Sequence, residues 1–301
     1  VKYLYYPGCS LKSTGRAYEE SALAVTEALG MRMDELEDWN CCGATNYMSI
    51  SELKSFALSG RNLALANRQA NSTESVSLVA PCAACYLGLT KAKRYIEEYP
   101  EIRSKVDGAL NAAGLEYRDH VRVRHLLDVL VNDFDQRSIT EQVKVKLAGM
   151  KVACYYGCQI VRPYSEFDDQ HNPTSMERLF KSLGMDVVDW PLKTRCCGGT
   201  LTGTVSEVGQ RLSYILLREA TRRGANVIVT ACPLCQFNLE CYQSEMSKRF
   251  NDSVHIPVTY FTQLMGLALG IPRKKLGLHR LFVPIPDGVE SPAAGGAHVL
   301  A

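Results

Sequence analysis

The chain has 301 residues, 46% of them hydrophobic and 22% charged, with a formal net charge of +2. Such a balance gives no support to nucleic-acid binding, and no apolar run approaches the roughly 18 residues of a membrane span; "LMGLALGIP" is soon interrupted. The opening "VKYLYYPGCS" lacks the charged-then-apolar pattern of a secretory signal, so a cytoplasmic setting is expected, and the length predicts about two domains.

In chain order, "VKYLYY" predicts a short strand leading to Cys9, and helical spacing over Tyr18–Leu29 stops at Gly30. Next come Trp39 and the stretch "NCCGATNYM", which sets Cys41 and Cys42 side by side ahead of Gly43. "LKSFALSGRNLALANRQ" is an amphipathic helix, and the apolar "VSLVA" is a buried parallel strand running directly into Cys82 and Cys85. The series then recurs. "KVACYY" leads to Cys158, a helix over Ser175–Leu183 stops at Gly184, and Trp190 precedes "RCCGGTLTG" with Cys196 and Cys197. "GQRLSYILLREATRRG" is a second amphipathic helix, and "VIVTA" a second buried strand ending at Cys232 and Cys235.

Each half thus reads C-x(31–37)-CC-x(34–39)-C-x-x-C, and both tryptophans hold equivalent places. This is the signature of duplication, with a seam near Gly149. The expected organisation is a half-domain over 1–149, a second over 150–284, and an extended or disordered tail over 285–301, rich in Gly, Ala and Pro. Alternating strand and helix predicts an α/β class, each half carrying a small parallel sheet flanked by helices. Ligands gather at the carboxyl ends of such strands, so the five cysteines of each half are expected to converge on a cleft.

Adjacent cysteines make a poor disulfide, because their Cα atoms lie about 3.8 Å apart while a relaxed bridge wants roughly 5.5–6 Å. In a reducing compartment twelve cysteines more often serve metal or redox chemistry. Zinc and ordinary cubane clusters each take four ligands, so five cysteines per half fit a cluster with an unusual ligand count, or four ligands and a free thiol. Gly43, Gly198 and Gly199 would let backbone approach a bulky centre. On spacing alone, iron–sulfur, zinc, and buried or redox thiols all remain open.

The twin C-x(n)-CCG-x(n)-C-x-x-C pattern, together with "RPYSEFDDQHNPTSMERLFKSLG" after the second "YYGC", resembles the cysteine-rich CCG-domain family, and within it the B subunit of heterodisulfide reductases. The resemblance runs from Cys9 to about Gly270. It implies that each half binds one noncubane [4Fe-4S] cluster through all five cysteines, and that a disulfide is split between the two clusters. The activity implied is that of a disulfide oxidoreductase, acting on the coenzyme M–coenzyme B heterodisulfide in a methanogen or on a related disulfide elsewhere. Electrons would come from a ferredoxin-like iron–sulfur subunit of the kind found in such reductases, with a flavin-containing subunit lying further upstream. The competing readings are an electron-transfer adaptor of a dehydrogenase complex and a zinc-stabilised interaction module.

Lys12, Arg162, Lys193 and Arg195 lie within a few residues of motif cysteines and are candidates to hold anionic groups of a substrate. His171, in a polar loop after Cys158, is the histidine assigned a candidate functional role; His125 is expected to be structural. Cys154 and Cys241 fall outside the repeat and are expected to be buried thiols.

Overall fold

A computed structural model describes residues 3–70, 75–286 and 291–292. Among them run ten strands: β1 (Tyr3–Tyr5), β2 (Met33–Glu35), β3 (Val76–Ala80), β4 (Val121–His125), β5 (Val145–Lys146), β6 (Lys151–Tyr155), β7 (Asp186–Val187), β8 (Val227–Thr230), β9 (Val258–Tyr260) and β10 (Ser291–Pro292). They form two four-stranded parallel sheets of the same topology, β2-β1-β3-β4 and β7-β6-β8-β9, while β5 and β10 pair antiparallel. The expected α/β class and the duplication are both present. Of the expected tail, Ile285 is buried and β10 is paired, while 287–290 and 293–301 lie outside the described residues.

The central strands are legible from their composition. β3 and β8 are buried along their whole length, as parallel strands covered by helices on both faces must be. The edge strands β2 and β7 escape sequence reading because they are two or three residues long and partly exposed, with acidic side chains. The helices between strands fall close to their expected places: Arg16–Ala28, Glu52–Ala70, Ser175–Ser182 and Ser206–Arg222. Three end where glycines at positive φ break the helical path, Gly30 (+69°), Gly184 (+81°) and Gly224 (+88°).

The two halves dock reciprocally. Helix Arg16–Ala28 of the first half packs on helix Phe261–Ala268 of the second, and helix Ser175–Ser182 packs on helix Leu126–Asn132 in return. Ser21 Oγ lies 2.6 Å from Thr262 Oγ1, and Tyr18 stacks on Tyr260 with centroids 4.3 Å apart. Apolar side chains of both halves belong to one continuous core. The halves are therefore held as one body, and the fold brings their carboxyl-terminal strand ends together.

Candidate functional site

In each sheet the chain leaves the first strand towards one edge and then crosses to the other side, so the crevice between β1 and β3, or β6 and β8, is a topological switch point. Cys9 follows β1 and Cys82 follows β3; Cys158 and Cys232 stand at the same places in the second half. The paired cysteines approach from the loop after the second strand. All ten therefore meet at one end of both sheets.

Their sulfurs form a continuous string. Cys9 Sγ lies 3.8 Å from Cys41 Sγ, and Cys197 Sγ lies 3.6 Å from Cys235 Sγ. Thiol–thiol interactions carry the string from Cys41 to Cys42, Cys42 to Cys85 and Cys85 to Cys82; in the second half they run from Cys158 to Cys196, Cys196 to Cys197 and Cys235 to Cys232. Cys82 interacts with Cys232 and closes the gap between the halves. Cys42, Cys82, Cys85, Cys197, Cys232 and Cys235 are buried, Cys41 and Cys158 lie at intermediate depth, and Cys9 and Cys196 are exposed.

Such crowding cannot hold ten anions without cations. Hydrogen bonds from Cys158 and Cys197 hold Cys196 down at about 2, and those from Cys41 and Cys85 hold Cys42 well below the ordinary thiol range. Their donors move the other way: Cys197 is pushed up to about 11 by its bond to Cys196, and Cys85 is raised well above the ordinary thiol range by its bond to Cys42. Metal ions would take over the charge balance that protons supply here, and so release all ten as thiolates. This donor set fits iron–sulfur ligation. Among the described residues no three ligating groups converge on the point a single ion would occupy.

Several supports recur in both halves. Tyr6 donates to the carbonyl of Asn40 at 2.7 Å, and Tyr155 to that of Arg195 at 2.7 Å, fixing the residue just before each cysteine pair. Ser59 and Ser213 donate at 2.8 Å to the carbonyls of Cys42 and Cys197. The backbone N–H of Gly43 points at Cys41 Sγ (3.5 Å) and that of Gly198 at Cys196 Sγ (3.3 Å). Gly8 and Gly157, each at positive φ, leave room for a sulfur: a Cβ there would stand 2.8 Å from Cys85 Sγ or 3.1 Å from Cys235 Sγ. Sequence reasoning passes over these tyrosines, serines and two glycines. A residue-by-residue comparison of the halves would expose the serines, which follow the pairs at nearly the same distance.

Gly43 and Gly198 are also closely packed. A Cβ on Gly43 would meet Ser55 at 2.9 Å and one on Gly198 would meet the Gly209 backbone at 2.9 Å, so both are fitted against the following helix; Gly199 faces open space. A cavity of about 240 Å³ opens over the second-half sulfurs, lined by Cys158, Cys196, Cys197, Cys232 and Cys235 and reached from the first half by Thr45, Ser49 and Ala83.

None of the candidate cations lines this cavity. Lys12 is ion-paired with Glu19 (2.7 Å) and Glu35 (2.8 Å), and buried Lys193 binds the Pro173 carbonyl (2.7 Å) and Glu177 (3.0 Å). Arg162 is held on the Thr194 carbonyl. Arg195 is exposed, with no guanidinium partner among the described residues; His171 is exposed in its loop. His125 is fully buried, accepts from Leu127 N, and is pushed down to about 4 by desolvation. Trp190 is buried and donates to Cys154 O, whereas Trp39 is partly exposed and donates to Glu35.

Cys154 is buried in β6 and Cys241 half-buried at the end of helix Pro233–Glu240; neither joins the sulfur string. Cys154→Ala and Cys241→Ser are each expected to keep full iron content, with roughly 1–3 kcal/mol lost for the buried one. Iron analysis alongside thermal unfolding checks this; loss of a cluster in either variant would show a misassigned ligand.

The CCG cysteine-rich domain signature matches residues 3–90 and again 152–240. The chain is 32% identical over 280 residues to the "8-methylmenaquinol:fumarate reductase membrane anchor subunit" of Wolinella succinogenes, covering 92% of this chain and 95% of that one. It is 27% identical over 285 residues to the B subunit of the ferredoxin:CoB-CoM heterodisulfide reductase of Methanosarcina mazei, covering 93% of each. A protein of Archaeoglobus profundus, described as like the B subunit of heterodisulfide reductase, is 28% identical, covering 92% of this chain and 94% of that one. Among solved structures, a hypothetical protein from Helicobacter pylori shares the fold, with a TM-score of 0.75 at 17% identity over 95% of this chain and 52% of that one. No helix among the described residues is long and apolar enough to cross a membrane. With its signature matched twice and five motif cysteines gathered at the switch point of each sheet, the chain belongs to the CCG cysteine-rich domain family.

Proposed function

We propose that this chain is the disulfide-reducing iron–sulfur subunit of a multi-subunit reductase, each half holding one noncubane [4Fe-4S] cluster through its five motif cysteines. The observation that carries this reading is the unbroken sulfur string, joined across the halves at Cys82 and Cys232 beneath an open cavity. Splitting a disulfide takes two electrons and two protons and gives two thiols. Two one-electron centres either side of the Cys82–Cys232 contact would supply the electrons, when bound.

The chain's own residues supply position and access. Gly8 and Gly157 keep Cys85 and Cys235 unobstructed, while the tyrosine and serine bonds to each cysteine-pair backbone set where Cys41, Cys42, Cys196 and Cys197 point. The backbone donors of Gly43 and Gly198 stabilise negative sulfur. Thr45, Ser49, Gln159 and Thr200 offer polar contacts along the cavity, and Arg162 and Arg195 provide positive charge beside Cys196 for an anionic substrate. Electrons would arrive from a ferredoxin-like subunit, with a flavin subunit further upstream; the relatives' names as subunits of reductases, one of them ferredoxin-linked, support the multi-subunit setting and the ferredoxin-type donor.

Metal analysis of anaerobically purified protein is expected to give about eight irons with matching sulfide, by the four-iron count of such centres. One zinc and four irons would remove the claim for one half. A second reading is an electron-transfer adaptor working with quinol. The menaquinol-linked name of the Wolinella relative favours it, as do exposed apolar side chains following both cysteine pairs, Ile50 (78% exposed), Leu53, Val205 and Val208. Reduced viologen tested with a panel of disulfides and with menaquinone analogues separates the two: turnover of a disulfide supports the first, and turnover of quinones alone supports the second.

A further inference from the structure

The two halves repeat so closely that their differences at the sulfurs stand out. Asn238, 1% exposed on helix Pro233–Glu240, donates through Nδ2 to Cys197 Sγ at 3.4 Å and to Gly199 O at 2.8 Å. The carbonyl acceptor fixes the amide orientation, because only the NH₂ end can serve it. In the first half, three residues beyond Cys85 as Asn238 is beyond Cys235, stands Gly88. It has no side chain, and a Cβ there would lie 3.7 Å from Cys42 Sγ. One buried sulfur of an equivalent pair thus receives a side-chain donor that the other lacks.

Charge follows the same asymmetry. Arg162, four residues after Cys158, is held on the carbonyl of Thr194, two residues before Cys196. Four residues after Cys9 the first half has Ser13, which donates to the Cys9 carbonyl at 2.8 Å. The residue before the cysteine pair is Arg195 in the second half; in the first it is Asn40, whose side chain accepts from Arg61, a guanidinium already paired with Asp38. Hydrogen bonds to ligand sulfurs and nearby positive charge both favour the more negative, reduced state of a cluster. The cavity also opens on the second-half sulfurs.

Resting on the reading above, we propose that the duplicated sites are inequivalent: the second-half cluster has the higher reduction potential, and Asn238 is the positioning residue that helps set it. An electron entering the chain would settle beside Cys197, next to the cavity, before the first half is reduced.

The test is an EPR-monitored titration of the full chain with dithionite under anaerobic conditions. Wild type is expected to show two midpoints, with the higher belonging to the signal that Cys197→Ser perturbs. Asn238→Ala should lower that midpoint by about a tenfold change in the reduced-to-oxidised ratio, ~59 mV for one electron, and leave the other unmoved. Asn238→Leu, which keeps the buried volume, should do the same if the alanine variant folds poorly. After exchange into D₂O, pulsed EPR should lose one exchangeable deuteron coupling from the second-half cluster in both variants, a change that loosening of the Gly199 loop would not produce. Coincident wild-type midpoints, a lower midpoint for the second half, or Asn238 variants that shift neither or both signals would overturn the proposal while leaving the two clusters intact. Protein without iron would instead overturn the underlying functional reading, and this inference with it.

Discussion

Cys197→Ser is expected to keep iron in the second half but perturb its cluster, and to lower disulfide reduction by more than about 100-fold. That exceeds the 10–100-fold losses typical of outer-shell changes around metal ligands. Cys197 shares its backbone with Cys196, so the two sulfurs of the pair can reach only neighbouring positions on one centre. Cys196 lies towards solvent, whereas Cys197 is buried between Cys196 and Cys235 and is held by Asn238. Serine at 197 leaves four thiols in that half, enough to retain iron, and removes the sulfur at its middle. Cys42→Ser should have the same effect on the first half, since Cys42 is buried between Cys41 and Cys85. Each variant should leave the other half's spectrum unchanged. Steady-state assays of both decide the matter: if either keeps close to wild-type turnover, the two halves do not act together on a disulfide, and one is an electron relay only.

Gly8→Ala should lose the cluster of its own half, bringing iron to about half the wild-type content, and Gly157→Ala should lower iron by less. Gly8 has φ +66° and Gly157 φ +70°, a region that costs an L-residue about 1–2 kcal/mol. That strain alone would not empty a site. The larger effect is steric: the new methyl would stand 2.8 Å from Cys85 Sγ or 3.1 Å from Cys235 Sγ, and so push a ligand sulfur from its place. Gly8→Ala should therefore be the more severe. Gly30→Ala supplies the control, because Gly30 has φ +69° but nothing within 4 Å of its Cβ position. It should lower thermal stability while keeping all iron. If Gly30→Ala loses iron as readily as Gly8→Ala, backbone strain rather than crowding at sulfur explains the loss. Iron analysis and thermal unfolding of the three variants provide the comparison.

Sequence by itself determined the duplication, the α/β class, the central strands and the helices that flank each cysteine pair. These are carried by local signals: apolar runs long enough to be buried strands, helical spacing closed by Gly30, Gly184 and Gly224, and a cysteine pattern written twice. It also placed Cys82 and Cys232 directly after buried strands, which suffices to put them at the ligand-bearing end of a parallel sheet. Short edge strands were lost because β2 and β7 carry no apolar alternation to mark them. What only the tertiary structure decided is how the two halves meet. The contacts of Ser21 with Thr262 and of Tyr18 with Tyr260 join residues far apart in the chain, and they bring Cys82 against Cys232. The same holds for the tuning of each sulfur. Only the fold shows Glu19 and Glu35 engaging Lys12 and Glu177 engaging Lys193, and Asn238 reads as an ordinary helix residue until the fold sets its amide against Cys197. Spacing names the ligand types because ligation chemistry is a property of the side chain. Which donors face which sulfur depends on helix packing across the crevice, and no local pattern encodes that.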